Sequence, residues 1–285
     1  MHPAAPPMDS EQLAQLLPEI RQVAIDAGAR ILEVCRTGYE VHEKADRSPV
    51  TTADLAAHQC IFERLEALDE HWPVLSEENP VLPTWEARRE WETYWLVDPL
   101  DGTRELLRQS KEFTVNIALI HQQQAVLGVI GAPALNLLYY AHRGGGTWRI
   151  HGEEAPAAIH SRPYPTDGSS VVAISFSHAR PEVQQFLRRL GPHQEKRVGS
   201  SLKSCQVAEG SLDLYPRCGS TSEWDTAAAQ CIVEEAGGQL LDWKLQPLRY
   251  NRKESLINPP FLVIGDPDHN WASLLNEAPE TDAAA

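Results

Sequence analysis

The sequence has few cysteines and few positive charges, and each shortage excludes a class of protein. Five cysteines occur among 285 residues, an odd number with no C-x-x-C pair, so we expect reduced thiols rather than disulfides or a structural metal site. Lys and Arg number 25 against 40 Asp and Glu, which gives a formal net charge of −15. A surface of this sign repels nucleic acid, so we expect no nucleic-acid partner.

The sequence also lacks a typical export or membrane signal. The opening residues MHPAAPPMDSEQ show no basic region followed by an apolar run, so we expect no signal peptide. Ala125–Ala141 is long and nearly uncharged, but Gly131, Pro133 and Asn136 interrupt it, so two buried strands joined around Pro133 explain it better than a membrane span. These features favour a cytoplasmic protein without an integral membrane span. They leave the oligomeric state, and peripheral association with the inner face of the membrane, open.

Hydrophobic periodicity predicts alternating helices and strands. Leu13–Val34 has helical spacing, with Pro18 marking a kink or an early boundary, and a second amphipathic helix is expected from about Ala53 to Leu68. Further helices are expected in PEVQQFLRRL, in DTAAAQCIVEEAG and in the second half of KRVGSSLKSCQVAEG. Strands are expected in WPVLSEEN, YWLVDPLDG, FTVNIALI, AVLGVIGAP, LLYYAH, SVVAISF, DLYPR, QLLDW and FLVIG. The pattern is that of a layered α/β protein.

A polar, proline-rich stretch, Glu153–Ser169, predicts a boundary between two domains. We place an N-terminal α+β domain at residues 9–152 and a C-terminal α/β domain at residues 153–275. Residues 1–7 and 276–285 are expected to fray.

The segment from Asp98 to Thr103, DPLDGT, carries two carboxylates at the end of an apolar strand. Proline at its second position biases Asp98 toward extended geometry. Gly102 allows close approach of the backbone to a ligand, and Thr103 can begin a helix whose N–H groups face an anion. An ordinary Asp-Gly turn with a helix cap explains the segment equally well when it is taken alone.

Other acids follow strands or begin helices. Glu77 and Glu78 end a predicted strand, Asp54 lies in a first helical turn, and Asp225 precedes a helix. Ligands collect at such positions in open α/β folds. Clustered carboxylates repel one another unless a cation is present, and oxygen-only ligands favour Mg²⁺ or Mn²⁺ over zinc. For Asp225 alone, an N-cap is the simpler interpretation.

The haloacid-dehalogenase phosphatases carry a similar motif, D-x-D-G-T, with one residue between the acids. Here Pro99 and Leu100 separate Asp98 from Asp101. The extra residue changes the position of the second carboxylate relative to the first, so we reject an aspartyl-phosphate mechanism.

DPLDGT, the upstream SEE and the downstream WDTAAAQCIVEEAGG together resemble the lithium-sensitive, magnesium-dependent inositol monophosphatase superfamily. VDPLDGTREL, KEFTVNIAL, SPVTTADLAAH, VLSEEN, VGSSLK and YPRCGSTSEWDTAA resemble most closely its CysQ-type branch, the bacterial 3'(2'),5'-bisphosphate nucleotidases. The resemblance extends from about Ile20 to Ile264.

This resemblance implies a layered αβαβα sandwich, two or three Mg²⁺ ions and a small-molecule nucleotide substrate. It implies metal ligation by Glu77, Asp98, Asp101, Asp225 and the carbonyl oxygen of Leu100. Asp54 and Thr103 match the groups that orient and deprotonate the attacking water. Substrate contacts are implied for Glu77, Leu100, Asp101, Gly102, Thr103, Ser200, Ser201, Lys203 and Asp225. Lys44 matches a lysine in a loop that covers the site, and a solvated loop lysine is the alternative.

The implied reaction is Mg²⁺-dependent hydrolysis of adenosine 3',5'-bisphosphate to AMP and phosphate, and 3'-phosphoadenylyl sulfate is a second implied substrate. Clearance of this by-product of sulfate activation is the implied role. Hydrolysis of inositol monophosphate or a sugar phosphate remains an alternative, as does a non-hydrolytic metal or nucleotide sensor.

Overall fold

The computed structural model describes residues 8–44, 48–68, 72–175 and 180–275. The ends predicted to fray, residues 1–7 and 276–285, lie outside these ranges. The α-helices in the described ranges are α1 (Ser10–Thr37), α2 (Thr52–Glu66), α3 (Trp85–Arg88), α4 (Thr103–Leu107), α5 (Pro181–Leu190), α6 (Leu202–Ala208) and α7 (Ala227–Glu235). None of them is both long and apolar enough to cross a membrane.

Two large sheets and one small hairpin contain the strands. The hairpin pairs β1 (Val41–Glu43) with β2 (Pro49–Thr51). The first large sheet contains, in spatial order, β3 (Val74–Ser76), β4 (Thr93–Asp101), β5 (Thr114–His121), β6 (Gln124–Ala132), β7 (Leu137–His142), β8 (Thr147–His151) and β9 (Ala157–Ile159). The second contains β10 (Val171–Ile174), β11 (Gln194–Arg197), β12 (Leu214–Arg217), β13 (Gln239–Asp242) and β14 (Phe261–Ile264), in the order β11-β10-β12-β14-β13.

Strand pairing explains why the first half is rich in hairpins. Only β3 and β4 pair in parallel in the seven-stranded sheet, and its other neighbouring strands are antiparallel. In the five-stranded sheet, β10 runs parallel to both β11 and β12, while β14 pairs antiparallel with β12 and β13. The predicted joint in the long apolar segment is confirmed, because a short 3₁₀ turn, Pro133–Leu135, connects β6 to β7.

The helices α1 and α2 cover one face of the seven-stranded sheet. Their apolar positions, such as Leu13 and Ile61, form one buried cluster with Trp95 and Val97 of β4. Pro18 lies inside the continuous helix α1, so the predicted early boundary there is wrong. A proline removes the hydrogen bond to the carbonyl four residues earlier, and here that residue, Ala14, is exposed, where water can satisfy the carbonyl.

The opposite face of the seven-stranded sheet contacts the second half of the chain. Because side chains alternate along a strand, Tyr94 and Leu96 point away from Trp95. They share a buried cluster with Ile232 of α7, Cys205 of α6 and Val263 of β14. The far face of the five-stranded sheet forms a third cluster, packed against α5. The predicted αβαβα layering is therefore confirmed.

The predicted domain boundary at residues 152 and 153 stays a prediction. The first sheet extends slightly beyond it, through Ile159 of β9. The next strand, β10, begins at Val171 and belongs to the second sheet.

Candidate active site

The end of β4 opens into the space between the two sheets. Asp98 continues the row of Tyr94 and Leu96, so its side chain points toward the inner layer of helices. Asn116 of β5 lies directly opposite it across the ladder. The pairing register shifts between Asp98 and Asp101, where Pro99 has no N–H to donate. This bulge turns the chain into Gly102, whose φ of 96° is one that glycine adopts readily.

Three acids from distant parts of the chain meet at this point. Carboxylate oxygens of Glu77, Asp98 and Asp225 lie within 4.8 Å of one another. Burial raises the pKa of Asp98 and Asp225 well above the usual range, and repulsion from neighbouring acids raises it further. Burial also raises the pKa of Glu77, although the nearby Lys44 opposes this shift.

The chemistry of these donors fits a hard divalent cation. Two oxygens bound to one Mg²⁺ at about 2.1 Å lie at most about 4.2 Å apart, so carboxylate oxygens already within 4.8 Å of one another would need only small shifts to share an ion. Such an ion would offset the repulsion among carboxylates that are otherwise costly to keep ionised in a buried site. The predicted ligand Asp101 lies beside this cluster, where its Oδ2 accepts a hydrogen bond from Ser201 at 2.8 Å. Glu77, Asp98 and Asp225 would therefore hold the metal.

Asp54 and Thr103, the predicted water-activating pair, are in contact. The Thr103 hydroxyl donates to Asp54 Oδ1 at 2.9 Å. Asp54 Oδ2 accepts from both the N–H and the hydroxyl of Thr51, at 2.8 and 2.6 Å, in a capping box at the start of α2. The side chain of Asp54 is buried and both of its oxygens are occupied, so its position is fixed.

Lys44 forms ion pairs with two acids at the edge of the site. Its ammonium group lies 2.8 Å from Glu77 Oε1 and 2.6 Å from Glu78 Oε1. Burial lowers the pKa of Lys44, but the two acids outweigh burial and leave it above the usual value. Burial raises the pKa of Glu78 to about 7, although Lys44 opposes this shift. Lys44 therefore contacts Glu77 rather than remaining solvated. We call Glu77, Asp98 and Asp225 the acidic cluster.

A cavity of about 220 Å³ adjoins the acidic cluster. Asp101 and Asp225 form one side of it. We call the remainder the cationic pocket; its charged and hydroxyl-bearing lining residues are Arg104, Glu105, Arg108, Ser175, Ser200, Ser201, Lys203, Ser204, Tyr215, Arg217, Ser220, Thr221 and Thr226. Four cations beside clustered carboxylates make this pocket suited to an anion close to a bound metal.

The predicted VGSSLK residues approach this pocket in different ways. Ser200 is buried, its hydroxyl has no partner among the described residues, and its φ is 45°, a region that residues other than glycine adopt rarely. Lys203 donates to the carbonyl of Val198 at 3.3 Å and lies 5.2 Å from the centre of the Tyr215 ring. Ser201 instead bonds to Asp101.

Two polar residues at the site, Arg217 and Asn116, are not predicted from the sequence. Arg217 lines the cationic pocket, where its guanidinium donates to Ser175 at 2.7 Å. Asn116 donates to Ser201 at 2.9 Å. A signal for Asn116 exists, since it is a single amide within the apolar run FTVNIALI, and a buried amide requires partners. Arg217 is the last residue of β12, in the predicted strand DLYPR, and this pattern gives no comparable signal.

Fold and site together define a class of protein: a layered αβαβα protein with an interlayer acidic site able to hold divalent cations beside a pocket for anions. The family model described as the inositol monophosphatase family matches residues 12–279, and the chain belongs to that family.

Individual relatives agree with this assignment. The chain is 45% identical over 250 residues to the 3'(2'),5'-bisphosphate nucleotidase CysQ of Escherichia coli strain K12, covering 87% of this chain and 99% of that protein. A crystal structure of CysQ from Bacteroides thetaiotaomicron is 35% identical, with a TM-score of 0.75, and the match covers 88% of this chain and 98% of that one. An inositol monophosphatase from Anabaena, 24% identical, has a TM-score of 0.74 over 96% of this chain and 100% of that one, which shows a shared fold.

Proposed function

We propose that this protein is a Mg²⁺-dependent 3'(2'),5'-bisphosphate nucleotidase that converts adenosine 3',5'-bisphosphate to AMP and phosphate. The observation that carries the proposal is the cationic pocket directly beside the acidic cluster. A substrate with two phosphates can place one at the acidic cluster with its metal and the other in the pocket. The Escherichia coli relative, a 3'(2'),5'-bisphosphate nucleotidase, supports the same reaction.

Position and charge explain how the pocket would recognise the second phosphate. Lys203 and Arg217 lie on its wall, and Ser200 offers a buried hydroxyl that has no partner among the described residues. Arg104 and Arg108 are exposed and stand four positions apart, one in α4 and one at its C-cap, and both line the pocket. Arginine binds phosphate through paired N–H groups. A substrate with one phosphate, such as inositol monophosphate, leaves these cations without an anion.

The chain's own residues supply the orientation of water. The Thr103 hydroxyl gives its hydrogen to Asp54, so its oxygen is free to accept a hydrogen bond from the attacking water. As the water attacks phosphorus, its proton passes to Thr103 Oγ1 while the hydroxyl proton of Thr103 passes to Asp54. The bond between phosphorus and the 3' oxygen of the nucleotide breaks, and that oxygen takes a proton from a solvent water. The N–H groups of the first turn of α4, after Gly102, are the proposed donors to the phosphate oxygens.

Glu77, Asp98 and Asp225, with Asp101 and the carbonyl of Leu100, are the proposed holders of two or three Mg²⁺ ions. When bound, these ions lower the pKa of the attacking water and offset the charge on the phosphate and leaving oxygens. All of these donors are oxygen atoms, which is the preference of Mg²⁺.

Phosphate release from three substrates tests the proposal. We expect rapid, Mg²⁺-dependent release from adenosine 3',5'-bisphosphate and little from inositol 1-phosphate. Adenosine 3'-monophosphate lacks the second phosphate, and the loss of even one charge-assisted hydrogen bond, about 1.5–3 kcal/mol, should lower kcat/KM at least roughly tenfold. Release mainly from inositol 1-phosphate would contradict the nucleotide assignment. Tight nucleotide binding with no release from any substrate would favour a sensor.

A cytoplasmic role in clearing the by-product of sulfate activation belongs to this proposal. Hydrolysis of 3'-phosphoadenylyl sulfate is included, because that molecule also places negative charge at its 5' end. The five cysteines are free thiols, as expected in a reducing compartment.

A further inference from the structure

A buried chain of hydrogen bonds joins Asn116 on β5, through Ser201, to the predicted metal ligand Asp101 at the end of β4. Asn116 Nδ2 on β5 donates to Ser201 Oγ at 2.9 Å, and Ser201 Oγ lies 2.8 Å from Asp101 Oδ2. Asn116 and Ser201 are 1% and 5% exposed, so water does not compete freely with these bonds. Asn116 is the one polar residue between Val115 and Ile120 of β5.

Ser201 occupies the N-cap position of α6 but does not act as an ordinary helix cap. An N-cap serine usually accepts a hydrogen bond from a backbone N–H of the first turn. The Ser201 side chain makes no such bond. Its hydroxyl is instead directed to the acidic site, 100 positions back in the sequence.

The chemistry of Asn116, Ser201 and Asp101 decides which group donates in each of these two hydrogen bonds. An ionised carboxylate only accepts hydrogen bonds, so Ser201 must give its single hydrogen to Asp101. The Ser201 oxygen then accepts, and the group opposite it must be a donor, which is the amide nitrogen of Asn116. The carbonyl of Asp225 lies farther from Ser201 Oγ, at 3.1 Å, and competes less well for the same hydrogen.

We propose that Asn116 and Ser201 are positioning residues for the metal site, holding the Asp101 carboxylate in the orientation that binds the cation. The inference rests on the proposed function for the identity of the metal, but it concerns the site's affinity rather than its substrate. It also divides the two neighbouring serines by role. Ser201 donates its hydrogen to Asp101, while Ser200, which lines the cationic pocket, has a hydroxyl without a partner in the part of the chain that the structure describes.

Mn²⁺ binding to the full chain without nucleotide tests the proposal. The bound fraction is measured from the decrease in the electron paramagnetic resonance signal of free Mn²⁺. We expect Ser201→Ala to weaken Mn²⁺ binding by about 10- to 100-fold, the usual effect of removing a partner of a metal ligand. Asn116→Leu, similar in volume but without a donor, should weaken it in the same direction. The double variant should bind Mn²⁺ as Ser201→Ala does, because Asn116 acts only through Ser201.

Ser200→Ala is the matched control, since it removes a hydroxyl one position away. It should leave the Mn²⁺ dissociation constant within about twofold while raising the KM for adenosine 3',5'-bisphosphate. Unchanged Mn²⁺ binding in Ser201→Ala, or fully additive effects in the double variant, would overturn the proposal. Circular dichroism verifies folding of each variant, and Asn116→Ser replaces Asn116→Leu if the latter does not fold.

A wrong reaction assignment and a wrong positioning role give different results in these experiments. If the wild-type protein binds Mn²⁺ but releases no phosphate from the nucleotide, the reaction assignment is wrong and the Ser201→Ala comparison still tests the positioning role. If the wild-type protein binds no Mn²⁺, the metal site and the positioning role are both wrong.

Discussion

The substitution Asp54→Asn tests the proposed proton path while changing little else. Asp54 Oδ2 holds the cap of α2 through two bonds from Thr51, and Oδ1 accepts the Thr103 hydroxyl. Asparagine has one acceptor oxygen. If that oxygen takes the Oδ1 position, both capping bonds are lost, at a cost of about 1–3 kcal/mol for the buried donors left unpaired.

The other orientation of the asparagine is therefore favoured. Its oxygen keeps both bonds from Thr51, and its NH₂ group then faces Thr103, which must become an acceptor. Thr103 can no longer pass its proton on, so the fold and substrate binding remain while the proton path is lost. General base catalysis contributes about 10²–10⁴-fold, so we expect kcat to fall by that factor, or about 3–5 kcal/mol in the barrier.

Steady-state phosphate release from adenosine 3',5'-bisphosphate at saturating Mg²⁺ measures this effect. The KM should change by less than about threefold, because neither carboxylate oxygen of Asp54 is assigned a substrate contact. Thr103→Val should lower kcat similarly, and Thr103→Ser, which keeps the hydroxyl, should restore most of it. Wild-type turnover in folded Asp54→Asn would refute the proton path.

Three further predictions concern packing and ion sensitivity. Arg88→Met removes a buried guanidinium that donates to Asn251 and to the carbonyls of residues 253 and 254. The free energy of unfolding measured in urea should therefore fall by about 2–5 kcal/mol. An unchanged urea midpoint of unfolding would contradict this. A Cβ at Gly128 would lie 2.3 Å from the carbonyl oxygen of Ala228, so Gly128→Ala should lower thermal stability by about 1–3 kcal/mol. Gly131→Ala is its control, because the nearest atom would be 3.6 Å away, and equal losses in both variants would argue against close packing as the cause. Millimolar lithium should inhibit phosphate release, as membership of the family implies, and full activity in lithium would count against a metal site of that type.

Local patterns in the sequence predicted most elements and several parts of the site. The alternation along YWLVDPLDG predicts a buried strand, and its register directs Asp98 into the interior. SPVTTAD predicts a helix start, and Thr51 and Asp54 form the capping box there. Pro18 was misleading because a proline on the exposed side of a helix leaves a carbonyl that water can satisfy.

The chemistry of the site was thus determined by the sequence, because residue type decides which groups can bind a cation or move a proton. The tertiary structure decided which of these groups meet. Ser201 and Asp101 stand 100 positions apart, and α6 and β4 bring them together only through the packing of the layers. The cationic pocket likewise joins Arg104 of α4, Lys203 of α6 and Arg217 of β12. Local propensity carries no information about such distances, since they depend on how whole faces bury one another.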